Sequence, residues 1–197
     1  MHRPIVAFSR AHHLGLLVMI GGACGVVAVI IARIPIPQVG EEARSYTQAV
    51  GFFLAPLLPV PALGYTLAGM QPQERHAARS LVFYRAALAA FSALTLFVVL
   101  MPAALTGPTP AAVRVLLENA SAIFGLTFAL GCWLPARWAW VIVYVLALIG
   151  VSGPETGWAS HLAFIDRTPS LADLLVGLIM LVAGGSLYAV LGNRRLV

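Results

Sequence analysis

LVFYRAALAAFSALTLFVVLMPAAL, residues 81–105, decides the fold class. One charged side chain, Arg85, interrupts the whole stretch. A hydrocarbon core roughly 30 Å thick needs about 20 apolar residues in a helix, so this run is long enough to cross a membrane. Five more apolar runs flank it, at about Leu14–Ala32, Gln48–Met70, Val113–Leu134, Trp138–Ser152 and Leu171–Leu191, with the charges pushed into the gaps between them. Of all residues, 60% are hydrophobic and 10% charged, against about 25% charged in a soluble domain. The pattern reads as an all-α integral membrane protein of about six transmembrane helices, with residues 1–197 forming one transmembrane domain.

Spending the chain on membrane spans excludes several functions. The longest polar segment is about 18 residues, too short for a soluble domain. An ATPase, kinase or DNA-binding activity would have to sit on another polypeptide. The net charge is +5 and every basic residue is Arg. These Arg lie singly or in pairs at helix ends rather than on one basic face, so no nucleic-acid partner is expected. Cys24 and Cys132 fall inside apolar runs and lack metal-ligand spacing. His2, His12, His13, His76 and His161 all lie outside the apolar cores. No H-E-x-x-H, G-x-S-x-G or P-loop is present. The reading therefore includes no catalytic residue, no metal site and no cofactor in this chain.

The first run follows Arg3 and Arg10 but has about 19 apolar residues, longer than the 7–15 of a signal peptide, and reads as a retained anchor. The fifth is the shortest, bounded by Pro135 and Arg137 and by Gly150 and Gly153. It reaches only about 23 Å at 1.5 Å per residue. Orientation follows from the arginines. With a cytoplasmic N-terminus, the inner segments hold Arg3, Arg10, Arg75, Arg79, Arg85, Arg137, Arg194 and Arg195, and the outer ones Arg33, Arg44, Arg114 and Arg167. The excess favours both termini inside. Trp133, Trp138, Trp140 and Trp158 lie near expected helix ends, where interfacial aromatics belong. Between the fifth and sixth runs, Gly153–Ser170 mixes apolar and polar residues and suits a re-entrant segment.

Four local features carry functional weight beside plainer structural readings. Pro56, Pro59 and Pro61 interrupt the second run. Each interior proline removes a backbone hydrogen bond, so the helix is expected to kink or unwind, either bordering a pathway or simply packing with a bend. Glu118, Asn119 and Ser121 lie about one turn inside the fourth run. An ionisable residue there suggests a pathway or subunit contact, whereas Arg114, four residues earlier, offers an interfacial ion pair. Gln71–Ser80, holding Gln73, Glu74, Arg75 and Arg79, reads as a short charged cytoplasmic helix opened by Pro72, or else as a solvated loop with anchoring charges. Gly21-x-x-x-Gly25 in the first helix, and Gly184 and Gly185 in the last, permit close helix approach.

This layout resembles the permease subunits of ABC exporters of the ABC type-2 family, which have six helices, cytoplasmic termini and a short coupling helix between the second and third spans. The stretch Ala112–Leu148, with V-R-V-L-L-E-N and then G-L-T-F-A-L, is similar to small permease-like proteins that accompany ABC ATPases. The resemblance implies that Gln73, Glu74, Arg75 and Arg79 face an ATPase. It implies that Trp138–Ser152 with Gly153–Ser170 forms the short fifth helix and re-entrant part. It implies ATP and Mg on a partner ATPase subunit, a second permease subunit (the same or a different chain), a lipid environment in a bacterial-type cytoplasmic membrane, and export of an amphipathic or hydrophobic substrate such as a peptide, lipid or drug-like compound. The alternatives are a stand-alone ion-coupled transporter or channel built on Glu118 and the broken second helix, and an accessory membrane protein of an assembly.

Overall fold

A computed structural model describes residues 13–33, 54–68, 81–106, 112–152 and 171–192. Its elements are α1 (Leu14–Arg33), α2 (Val60–Ala68), α3 (Val82–Leu105), α4 (Ala112–Trp133), α5 (Ala136–Ser152) and α6 (Leu171–Leu191). A single helical turn at residues 54–57 precedes α2. Among the described residues there is no strand. α1, α3, α4 and α6 are long and apolar enough to cross a membrane by length and composition. Leu54–Ala68 and the Trp138–Ala147 part of α5 are shorter apolar helices. The expected second helix, Gln48–Met70, runs past the described residues at both ends. The expected re-entrant Gly153–Ser170 and the Gln71–Ser80 segment, with Gln73, Glu74, Arg75 and Arg79, lie outside them.

Chain stops are set by proline and glycine. α5 begins at Ala136 rather than Trp138, because Pro135 supplies the carbonyl that accepts the Trp138 N–H at 2.7 Å and closes the first turn. α6 ends where Gly192 adopts a φ of 58°. Its N–H donates to Tyr188 O at 2.8 Å, which closes the helix with a left-handed residue.

Side-chain pairings reveal helix direction. Gly21 faces Leu96 and Gly25 faces Val99, so α1 and α3 run parallel. Gly177 meets Glu118 and Gly184 meets Gly125, so α4 and α6 also run parallel. Ala89 lies by Gly185 and Arg85 by Gly192, so α3 and α6 are antiparallel. The His13 ring lies 5.2 Å from that of Tyr65, which brings the start of α1 to the end of α2. One end of the bundle thus gathers His13, Tyr65, Arg85, Cys132 and Gly192. Arg114 and Asp173 lie at the other.

The core is aliphatic and aromatic. Leu17, Val60, Leu63, Leu96, Leu100, Leu116 and Phe124 are fully enclosed, and Phe97 meets Phe124 edge to face at 5.6 Å between ring centroids. α4 is the most enclosed of the four long helices, whereas α1 and α6 keep most of their surface outward. That outward surface is apolar: Met19 is 74% exposed, Leu171 70% and Val182 67%. Soluble monomers rarely expose contiguous apolar surface on this scale, but acyl chains match it. The structure is thus that of a multi-pass membrane protein.

The tightest seam joins α4 and α6. A Cβ at Gly184 would collide with the Gly125 carbonyl, and a Cβ at Gly125 with the Met180 carbonyl. At Gly177 it would sit 2.8 Å from Glu118 O. Lipid-bathed helices gain little hydrophobic driving force from association, so close backbone packing at small residues contributes most of the attraction. Gly184→Val is expected to force the helices apart and to cost about 2–3 kcal/mol, the upper range for overpacking a tight core. Thermal unfolding in mild detergent reads this directly, and an unchanged midpoint would contradict the seam.

Candidate functional site

The proline-rich second helix comes first, because proline chemistry dictates its shape. In an α-helix the carbonyl of residue i accepts from the N–H of residue i+4. Pro59 has no N–H for Ala55 O, and Pro61 has none for Leu57 O. The helix is accordingly interrupted at residues 58 and 59. Leu58 N–H donates to Leu54 O at 3.3 Å on one side, and Leu63 N–H to Pro59 O at 3.0 Å on the other. Pro56 and Pro59 are buried and Pro61 is half-buried. The Tyr144 hydroxyl on α5 donates to Leu57 O at 2.8 Å, replacing the bond that Pro61 removes. The Trp140 ring, 5.6 Å away and nearly perpendicular, braces that tyrosine. At the end of α2, where carbonyls lack helical partners, the Tyr188 hydroxyl of α6 donates to Leu67 O at 3.3 Å. Two tyrosines from two neighbouring helices therefore bond one carbonyl freed at the proline break and one at the end of α2.

The second feature is a polar patch on α4. Glu118 is 6% exposed, Asn119 2% and Ser121 fully enclosed. Arg114, Glu118, Ser121 and Gly125 recur at helical spacing on one face. That face meets α6, since Gly177 packs on the Glu118 carbonyl with Ser121 Cβ beside it. Asn119 lies about 100° around the helix from Glu118 and so leaves this face. Asp173 stands four residues before Gly177, in the first turn of α6 and on the same side of that helix. Arg114, Glu118 and Asp173 thus occupy the same end of the α4–α6 seam.

Hydroxyl bonding within the bundle follows two patterns. Thr66 donates to Ala62 O at 2.9 Å and Thr127 to Ile123 O at 2.8 Å, each satisfied by its own helix. Ser121 Oγ makes no such bond, and neither does Ser92 Oγ on α3. Asn119 Oδ1 and Arg114 Nε are likewise enclosed without a hydrogen-bond partner. Burying an unsatisfied polar group costs roughly 1–3 kcal/mol. Several on one helix are expensive for a purely structural element and suit a site where polar groups are exchanged.

The proline break and the Glu118 patch do not share a seam: Leu57 is bonded to α5, and Glu118 faces α6. Among the described residues no group of three His, Cys, Asp or Glu could hold a metal ion. Reading the sequence for ionisable residues and prolines misses Tyr144, Tyr188, Gly125 and Gly177. The glycines had a usable signal, since Gly177 and Gly184 are seven residues apart on one helix. The tyrosines had none, because nothing in sequence links a hydroxyl on α5 to the Leu57 carbonyl or one on α6 to that of Leu67.

Tyr144→Phe is expected to leave Leu57 O unbonded and to destabilise the bundle by about 1–3 kcal/mol, measured as a lower unfolding midpoint. Ser121→Ala removes a hydroxyl with no partner, so its expected effect is neutral to stabilising; a loss above ~1 kcal/mol would show that the hydroxyl is bonded. No family model, curated protein or solved structure matches this chain.

Proposed function

We propose that this chain is a membrane-spanning permease subunit of an ATP-driven ABC-type exporter, with the ATPase on a separate chain. In this reading it crosses a bacterial-type cytoplasmic membrane six times with both termini inside. It works with a second permease subunit, and the cargo is amphipathic or hydrophobic. The observation that carries the reading is helix direction. His13, the end of α2, the start of α3 and Gly192 gather at one end of the bundle. Ala68 and Leu81, which flank the stretch holding Glu74, Arg75 and Arg79 in sequence, both stand toward that end, and in this reading a cytoplasmic ATPase meets those three residues there. The short α5, 17 residues long, adds support. So does the lack of a nucleotide-binding motif, which leaves energy supply to a partner.

Purification of the tagged chain in mild detergent, with partners identified by mass, is the direct experiment. The expected result is a co-purifying P-loop ATPase, with association reduced at least about tenfold when Glu74, Arg75 and Arg79 are all replaced by Ala. Undiminished association would sink the coupling assignment.

A second reading, ion-coupled transport without ATP, is favoured by one observation: a carboxyl 6% exposed on α4, on the same helix face as the unpartnered Ser121 Oγ. Intramembrane ionisable groups commonly mark ion and proton routes. Under it, Glu118→Gln abolishes ion-driven flux in proteoliposomes without ATP. Flux that persists unchanged rules this reading out.

A further inference from the structure

The geometry points to the C-terminal turn of α6 as a clasp that holds one end of the bundle shut. Three contacts converge there. The Tyr188 side chain, 1% exposed, donates its hydroxyl to Leu67 O at 3.3 Å. Its ring lies 6.2 Å from that of Phe128 on α4. Four residues on, Gly192 closes α6 with a φ of 58°, and the Arg85 guanidinium of α3 packs against it. A Cβ on Gly192 would stand 2.5 Å from Arg85 Cζ and 2.8 Å from each Nη. The last carbonyls of a helix carry partial negative charge and attract a cation placed there. A side chain at Gly192 would strain the backbone at this φ and make the guanidinium shift.

These contacts attach one short turn to three other helices. Leu67 is next to the last residue of α2, and Arg85 lies in the first turn of α3. Both stand within five residues of the segment that joins those helices. Phe128 belongs to α4, which α6 also grips through Gly125 and Gly184. Under the clasp lies Cys132. It is fully enclosed, and its thiol donates to Phe128 O at 3.4 Å. Opening the clasp separates α2 and α3 from the end of α6 and uncovers Cys132. In the transporter-subunit reading, on which this last step rests, a push on Gln71–Ser80 reaches α4 by this route.

The chain carries its own reporter, so the test needs no ATPase and its outcome is independent of whether one co-purifies. In a Cys24→Ser background Cys132 is the sole cysteine. Its alkylation by N-ethylmaleimide is timed in the full chain in detergent. Tyr188→Phe keeps the ring against Phe128 and deletes only the donor. Loss of one hydrogen bond worth about 1 kcal/mol corresponds to roughly fivefold more frequent opening, so labelling about fivefold faster is expected. Gly192→Ala, which strains the closing turn of α6 at its φ of 58°, is expected to give the same direction of change. A parallel reporter, Ser121→Cys in a chain lacking both native cysteines, lies toward the far end of α4 and should keep its rate. Unchanged Cys132 labelling in both variants overturns the clasp. Equal acceleration at both reporters also overturns it, because the bundle would then be loosening throughout rather than at one end.

Discussion

The bundle depends on the close approach of α4 and α6. Glycines at 125, 177 and 184 let backbone meet backbone where any larger residue would intrude. In water the burial of leucines would hold two helices together at ordinary spacing. In lipid that term nearly vanishes, and contact between main chains takes its place. The consequence reaches beyond the pair. α6 presents most of its surface outward, yet it supplies Tyr188 to α2, Gly185 to α3 and Gly177 to the carbonyl of Glu118. Without the glycine seam none of those groups would be in place.

α2 contrasts with this rigidity. Its prolines forfeit hydrogen bonds that a membrane cannot replace with water, and each freed carbonyl costs stability unless a donor arrives. Tyr144 supplies such a donor at residue 57, and Tyr188 bonds the carbonyl of residue 67 at the helix end. A segment held by one foreign hydroxyl at its break and another at its end can change shape when either donor helix moves. An uninterrupted helix would satisfy itself and respond less.

Fold class was legible because the membrane imposes length and apolarity on each run separately. α1, α3, α4 and α6 match their sequence readings to within a residue or two, since each is long and charge-poor. The shift of α5 to Ala136 came from Pro135, whose carbonyl accepts a bond in the first turn. The Gly21 and Gly25 spacing indicated close approach in the first helix, and both residues face α3. Gly185 proved looser than Gly184, with only Ala89 Cβ at 3.9 Å from its would-be side chain. What stayed hidden was tertiary: which hydroxyl meets which carbonyl depends on rotation about helix axes, and a sequence period does not specify a neighbour's rotation. Glu118 was conspicuous as a lone carboxyl in an apolar run. The contrast between Ser121, which does not bond back to its own helix, and Thr127, which does, is set by side-chain rotation that no sequence period encodes.

Parallel packing of α4 and α6 carries an electrical consequence. Each helix has a macrodipole equivalent to roughly half a positive charge at its N-terminus and half a negative charge at its C-terminus. Two such dipoles aligned side by side repel, and a medium of low dielectric screens them poorly. For α6 the chain places opposite charges at both ends. Asp173 lies in its first turn and Arg85 meets its closing turn, whereas α4 carries Arg114 in its own first turn. The ends of α6 are therefore compensated by side chains rather than by solvent ions. Added salt should weaken that compensation far less than it would weaken surface ion pairs.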